Sequence, residues 1–244
     1  MTKKYMLLYG KNSVTERLMA DPKSIKKIIK ADNFNDPNIN QLIVKHNISV
    51  DILPIKKVQD LKKAKNVQGI VARVDYFGYF NFEQLLIQDE KLTLVFLDRI
   101  NDPQNLGVII RTFACFGGFA IVLPEKEATP VTEAVMHVAS GGENYVKIAK
   151  VNDLAQAISK AKKNGFTILG AVVDEQSNDI HKIDWKFPLG IVLGAETTGI
   201  SSQIKQQLDQ KVFIPMPGKK LSFNLAMAAT VFSYEITKQR LADS

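Results

Sequence analysis

The chain has one cysteine, three histidines and no apolar run approaching the roughly 18 residues of a membrane span. Each shortage excludes something. Cys115 alone cannot form an intrachain disulfide, and its isolation fits a reducing cytoplasm. His46, His137 and His181 are isolated from one another and from Cys115, so no metal site is expected. The opening MTKKYMLLYGKNS is basic, but only a short apolar stretch follows and no small-residue cleavage site. It reads as mature protein and not as a signal peptide. No internal repeat or low-complexity tract is present, and no Gly-x-Gly-x-x-Gly follows the first strand expected in the second half. That argues against a dinucleotide-dependent oxidoreductase.

What remains is an ordinary globular composition, 45% hydrophobic and 23% charged over 244 residues, enough for one large domain or two small ones. The charge is unevenly spread. Residues 1–75 hold 15 Lys and Arg against 7 Asp and Glu, a balance of +8, while the other 169 residues balance at −1. Such asymmetry suggests a polyanion-binding module joined to a near-neutral body. Charge alone does not choose between nucleic acid, an acidic membrane surface and a plain lysine-rich face.

Periodicity predicts two regions. Over 1–75, short helices and strands alternate: a helix from Ser13, where Ser13 to Glu16 has capping-box spacing, then a strand over 24–31. A helix over 38–46, a strand over 48–55, a basic helix over 56–65 and a strand over 69–74 complete a small α/β domain. Residues 76–90, with Tyr76, Phe77, Tyr79, Phe80 and Phe82 around Gly78, read as a linker whose aromatics pack or stack on bases. From 91 to 244 the apolar runs 92–97, 119–123, 166–173 and 189–193 read as buried parallel strands. Amphipathic stretches at 105–116, 130–139, 153–164, 201–209 and 222–240 alternate with them. The expected class is α/β, an open parallel sheet with helices on both faces.

Ligands bind such sheets at the carboxyl ends of strands, and three loops there carry unusual residues. The first, Asp98 to Gly107, offers Asn105, either a helix cap or a substrate contact, and leads to Arg111 on a largely apolar helix. A guanidinium in that setting calls for a partner or an anion. The second, Leu193 to Ser201, sets Glu196 between Gly194 and Gly199, where glycines let a ligand approach the backbone. Glu196 is equally readable as an acid at a helix N-terminus. In the third, Pro215 and Pro217 stop a central strand, Gly218 allows a turn, and Ser222 and Asn224 open an apolar helix that one of them caps.

Together these loops resemble the SpoU/TrmH family of RNA ribose 2'-O-methyltransferases. Asn105, Gly107 and Arg111 match its Asn-x-Gly-x-x-x-Arg motif, and Leu193, Gly194, Glu196 and Gly199 match Leu-Gly-x-Glu-x-x-Gly. Ile214, Pro215, Met216 and Gly218 match Ile-Pro-Met-x-Gly, with Ser222, Phe223 and Asn224 where the family has Ser-Leu-Asn. Leu8-Tyr9-Gly10 and Val67 to Ala72 are similar to the ends of the family's L30e-like RNA-binding domain. The resemblance implies S-adenosylmethionine as cofactor, a homodimer, and a deep trefoil knot at the carboxyl end of the sheet, which periodicity could not suggest. Carried over by position, Gly194, Ile214, Met216 and Phe223 bind the cofactor, while Arg111, Asn105, Glu196, Ser222 and Asn224 serve catalysis. The layout is closest to members that methylate a guanosine of large-subunit ribosomal RNA. A transfer-RNA target and an inactive RNA-binding relative are the alternatives. Two departures stand out: Phe223 replaces the usual leucine, and Leu225-Ala226-Met227 replaces Val-Ser-Val.

Overall fold

The computed structural model describes residues 5–62, 67–87, 91–218 and 221–242. They form two compact units. In chain order the elements are β1 (Met6–Tyr9), α1 (Lys11–Ala20), β2 (Ile25–Ala31), α2 (Pro37–Lys45), β3 (Val50–Leu53), α3 (Ile55–Asp60) and β4 (Ile70–Val74). They continue with α4 (Phe82–Leu86), β5 (Thr93–Asp98), α5 (Pro103–Phe116), β6 (Phe119–Pro124), α6 (Glu133–Ala139), β7 (Lys147–Val151), α7 (Leu154–Lys163) and β8 (Thr167–Ala171). Last come β9 (Asn178–Asp179), β10 (Leu189–Gly194), α8 (Ser202–Lys205), β11 (Gln210–Phe213) and α9 (Leu225–Ala242).

The first unit is a four-stranded mixed sheet in the order β1-β4-β2-β3, with β2 and β3 parallel and the other pairs antiparallel. Residues 63–65 of the basic stretch 56–65 lie outside the described residues, and the helix there is Ile55–Asp60. Helix α1 starts at Lys11, two residues before the expected Ser13, and Gly10 at its N-cap makes no side-chain bond. Ser13 is buried inside the helix, so the capping-box reading fails: its spacing is right but its position is interior.

The unit also takes in Val131–Tyr145, far away in sequence. Helix α6, expected among the helices of the parallel sheet, belongs here. Glu133 accepts from Leu7 N at 2.7 Å and pairs with Lys62, and His137 stacks on Tyr9 with ring centres 4.1 Å apart. In the turn after α6, the buried Glu143 meets the buried Arg17 of α1 at 3.3 Å. Burial raises the Glu143 carboxyl above the usual carboxylate range even with Arg17 beside it.

The second unit is an all-parallel seven-stranded sheet in the order β7-β6-β5-β10-β8-β11-β9. Every residue of β5 is buried, as expected of a continuous apolar run covered on both faces. Strands β7 (KIAKV) and β11 (QKVF) were not legible as apolar runs. The stretch 76–90 is only partly a linker. Phe80 N donates to Ile148 O at 2.8 Å along the β7 edge, and Phe82 and Leu85 of α4 are buried in the core of this unit. Aromatics there protect a sheet edge.

Candidate functional site

The site is built where β5 and β10 leave the sheet side by side, since Asp98 pairs in register with Gly194. Helix α5 starts cleanly: Pro103 occupies its first turn and Asp102 caps it by accepting from Gln104 N at 2.9 Å. Asn105 is therefore not the cap. It is buried three residues past the cap, and its amide Nδ2 donates to Glu196 Oε1 at 3.0 Å. The buried face of α5 carries Leu106, Ile109, Ile110 and Phe113. Gln104, Val108, Arg111 and Cys115 form the opposite, exposed stripe. Arg111 thus sits in solvent, and among the described residues it makes no ion pair. Its neighbours Ile109, Ile110 and Phe113 face the core, while Val108 shares its exposed stripe.

The second loop is held by β5. The Asp98 carboxylate, nearly buried, accepts from Ser201 N at 2.7 Å and bonds Arg99 Nε at 3.2 Å. Arg99, in left-handed backbone conformation at φ +62°, donates from Nη2 to Gly199 O at 2.9 Å. Neither residue was singled out by sequence, because an Asp-Arg pair at a strand end looks like ordinary surface charge. Within the loop Gly199 N donates to Ala195 O at 2.7 Å, folding the backbone back on Gly194. A Cβ on Gly194 would lie 2.2 Å from Gly199 C and 2.3 Å from Ile200 N, so only glycine permits this closure.

Glu196 projects from that loop to the third segment. The same Oε1 that takes the Asn105 amide accepts from Leu225 N, at the start of α9, at 3.1 Å. Glu196 is thus an acid at a helix N-terminus, but at α9 rather than at the helix following its own loop. Asn224 is the side-chain cap of α9, accepting from Met227 N at 2.8 Å. One carboxylate oxygen therefore joins the three motif segments.

Behind that junction lies a cavity of about 330 Å³. Its walls are the end of β8 (Ala171 to Val173), the β10 loop (Leu193 to Glu196, Gly199 and Ile200), Lys205 of α8, the end of β11 through Met216, and the start of α9. Of the expected site residues, Gly194, Glu196, Ile214, Met216, Ser222 and Phe223 line it, whereas Asn105, Arg111 and Asn224 do not. Asn105 reaches it through Glu196. The walls from β8 and Lys205 were not anticipated: two valines at a strand end and a lysine on a short helix carry no sequence signal. Residues 219–220, within the third segment, lie outside the described residues. Predominantly apolar walls, exposed backbone groups, one hydroxyl at Ser222 and two ionisable side chains, Glu196 and Lys205, suit a flat heteroaromatic ligand with polar substituents. Among the described residues no group of three or more His, Cys, Asp or Glu side chains could hold a metal ion. No described helix is long and apolar enough to cross a membrane.

Comparison with known proteins agrees with this layout. A family model described as RNA 2'-O ribose methyltransferase substrate binding matches residues 7–80. The chain is 32% identical over 240 residues to the 23S rRNA (guanosine-2'-O-)-methyltransferase RlmB of Acinetobacter baylyi, covering 96% of this chain and 97% of that one. It is 31% identical over 242 residues to a putative TrmH family tRNA/rRNA methyltransferase of Staphylococcus saprophyticus, covering 96% of each. Its fold matches the crystal structure of the SpoU methyltransferase AviRb from Streptomyces viridochromogenes in complex with AdoMet. The TM-score is 0.80 at 20% identity, over 98% of this chain and 92% of that one. The model of the SpoU rRNA methylase family matches residues 92–234, which hold all three loops of the site, and the chain belongs to that family.

Proposed function

We propose that this protein transfers a methyl group from S-adenosylmethionine to the 2'-hydroxyl of a guanosine ribose in 23S ribosomal RNA, acting in the cytoplasm as a homodimer. The observation that carries the reading is a cavity lined by the second and third loops, with the first loop tied to it through Glu196, which bonds both Asn105 and the start of α9. Relatives matched over nearly the whole chain are named as ribosomal or transfer RNA methyltransferases, and a neighbour of the same fold was solved in complex with AdoMet. The cofactor, when bound, supplies a methyl group on a sulfonium.

The cavity holds the cofactor, with Gly194, Ile214, Met216 and Phe223 on its walls. Aligning the hydroxyl with the methyl group is the main task of the remaining residues. The hydroxyl oxygen takes the methyl group and its proton leaves to water. Arg111 is exposed, and a guanidinium offers five N–H donors and no acceptor. It therefore serves as the cation that stabilises the developing alkoxide and steadies the adjacent phosphate, not as the base. Asn105 and Glu196 fix the loop geometry, Ser222 contributes a hydroxyl at the cavity wall, and Asn224 sets where α9 begins.

The basic first 75 residues supply affinity for the RNA backbone, which weakens as salt rises. Val108 on α5 and Met227 and Tyr234 on α9 are exposed apolar groups on two helices that pack on each other, and they favour self-association through that pair. The knot forms part of the same proposal; the return of the chain after β11 to bond the β10 loop supports it.

The test is transfer of labelled methyl from S-adenosylmethionine to purified 23S ribosomal RNA and to total transfer RNA, with ribose methylation mapped by blocked alkaline cleavage. One modified guanosine in 23S RNA is expected. Labelling of transfer RNA alone would move the target. No labelling of either, with no cofactor binding by calorimetry, would overturn the reading.

A further inference from the structure

The cavity lining runs from the β10 loop to the ends of β8 and β11, and Lys205 of α8 is part of it. On the proposed reading transfer takes place on the α5 side, where Glu196 of the cavity wall meets Asn105 in the opening of the Arg111 helix. From β10 the cavity runs under β8 and β11, the next two strands in the sheet, whose ends contribute Ala171 to Val173 and Val212 to Ile214. Two strand spacings amount to about 10 Å. Helix α8 lies over that far side: a Cβ on Gly170 of β8 would come within 2.3 Å of Leu208 Cδ1 and 3.1 Å of Ile200 Cδ1, the residues flanking α8. Lys205, its last residue, lines the cavity there.

An exposed helical lysine is usually a solvated charge or half of an ion pair. The obvious partner, Asp209 four residues on, is engaged elsewhere, bonding Lys162 at 2.7 Å and accepting from Ile168 N at 2.7 Å. Among the described residues Lys205 makes no ion pair. With Glu196 already committed to Asn105 and to α9, Lys205 is the one described ionisable side chain on the cavity wall whose donors are uncommitted.

A methyl donor placed with its sulfonium on the α5 side has an adenosine and an amino-acid half to place, and the apolar ends of β8 and β11 suit the adenosine half better. That half is flat, suits apolar walls, and offers ring nitrogens and ribose hydroxyls as acceptors. We propose that Lys205 is a cofactor-binding residue whose ammonium donates to the adenosine half of S-adenosylmethionine. The proposal rests on the methyl-donor reading above and adds the orientation of the ligand in the cavity.

Calorimetric titration separates the possibilities, using S-adenosylmethionine, S-adenosylhomocysteine and 5'-methylthioadenosine, which lacks the amino-acid half. Lys205→Met should weaken all three by a similar factor, about tenfold. Lys205→Arg should restore most of the loss, and the melting temperature should not change. Wild-type affinity for all three in Lys205→Met would overturn the proposal. So would a loss confined to the two ligands with an amino-acid half, which would place Lys205 at their carboxylate. Failure of the unmodified protein to bind any of the three would overturn the methyl-donor reading itself, and the assignment of Lys205 with it.

Discussion

Around the cavity the site is made of backbone and apolar side chains: a loop folded back on Gly194, the ends of β8 and β11, and the first turn of α9. On α5 the proposed site has one exposed guanidinium, Arg111, with Asn105 buried six residues earlier in the same helix. The first region is defined by packing and tolerates little change in shape. The second is defined by charge placed at the surface and tolerates little change in chemistry. Binding and transfer should therefore fail separately.

The largest expected effect lies on the charged side. Arg111→Ala should slow methyl transfer by roughly 10²–10³, the range for losing one donor to a developing oxyanion, with cofactor affinity by calorimetry nearly unchanged. Activity at a tenth of wild type or more would break the division. Gly194→Ala should do the reverse. Overpacking costs about 1–3 kcal/mol, so at about 1.4 kcal/mol per tenfold the cofactor should bind roughly ten- to hundredfold more weakly. A variant with normal affinity would show that the loop yields where the geometry says it cannot.

Glu196→Gln sharpens the comparison, since Glu196 touches both regions. Exchanging its carboxylate for an amide should cost about 0.5–1.5 kcal/mol, read as a few-fold loss shared between cofactor affinity and turnover. A loss confined to turnover would assign Glu196 to the α5 side alone. The smallest effect belongs to Asn224→Ala. Removing the cap of α9 should cost about 1 kcal/mol and lower the melting temperature by ~2–4 °C. A much larger fall in activity than in stability would give Asn224 a part beyond capping.

Much of this arrangement was legible in the chain, for identifiable reasons. Strands β5, β6 and β10 announce themselves because a strand buried on both faces is a continuous apolar run. Strand β7 does not, because it lies at the sheet edge and carries lysines at positions 147 and 150, over which Phe80 and Tyr79 pack. The three motif loops could be found because glycine and proline mark where backbone must turn or close. Which side chain would cap α5 could not, since Asp102 and Asn105 are both competent and only the helix start decides. Asp98 and Arg99 were silent because each holds the backbone of a loop about a hundred residues away, and nothing in their own surroundings along the chain records that contact.

The route of the chain through α6 bears on how the molecule is made. The first unit is not finished when its sheet is: Glu133, which holds Leu7 N and Lys62, and Glu143, which meets Arg17, arrive only after β5, α5 and β6 have been synthesised. A ribosome adding about 5–20 residues per second exposes that incomplete unit for several seconds, with Arg17 lacking the carboxylate it is buried against. A fragment ending near residue 78 would keep the four strands and lose those contacts, as a truncation would and a natural boundary would not. The two units are not two successive lengths of sequence, and the first is completed only after part of the second has been made.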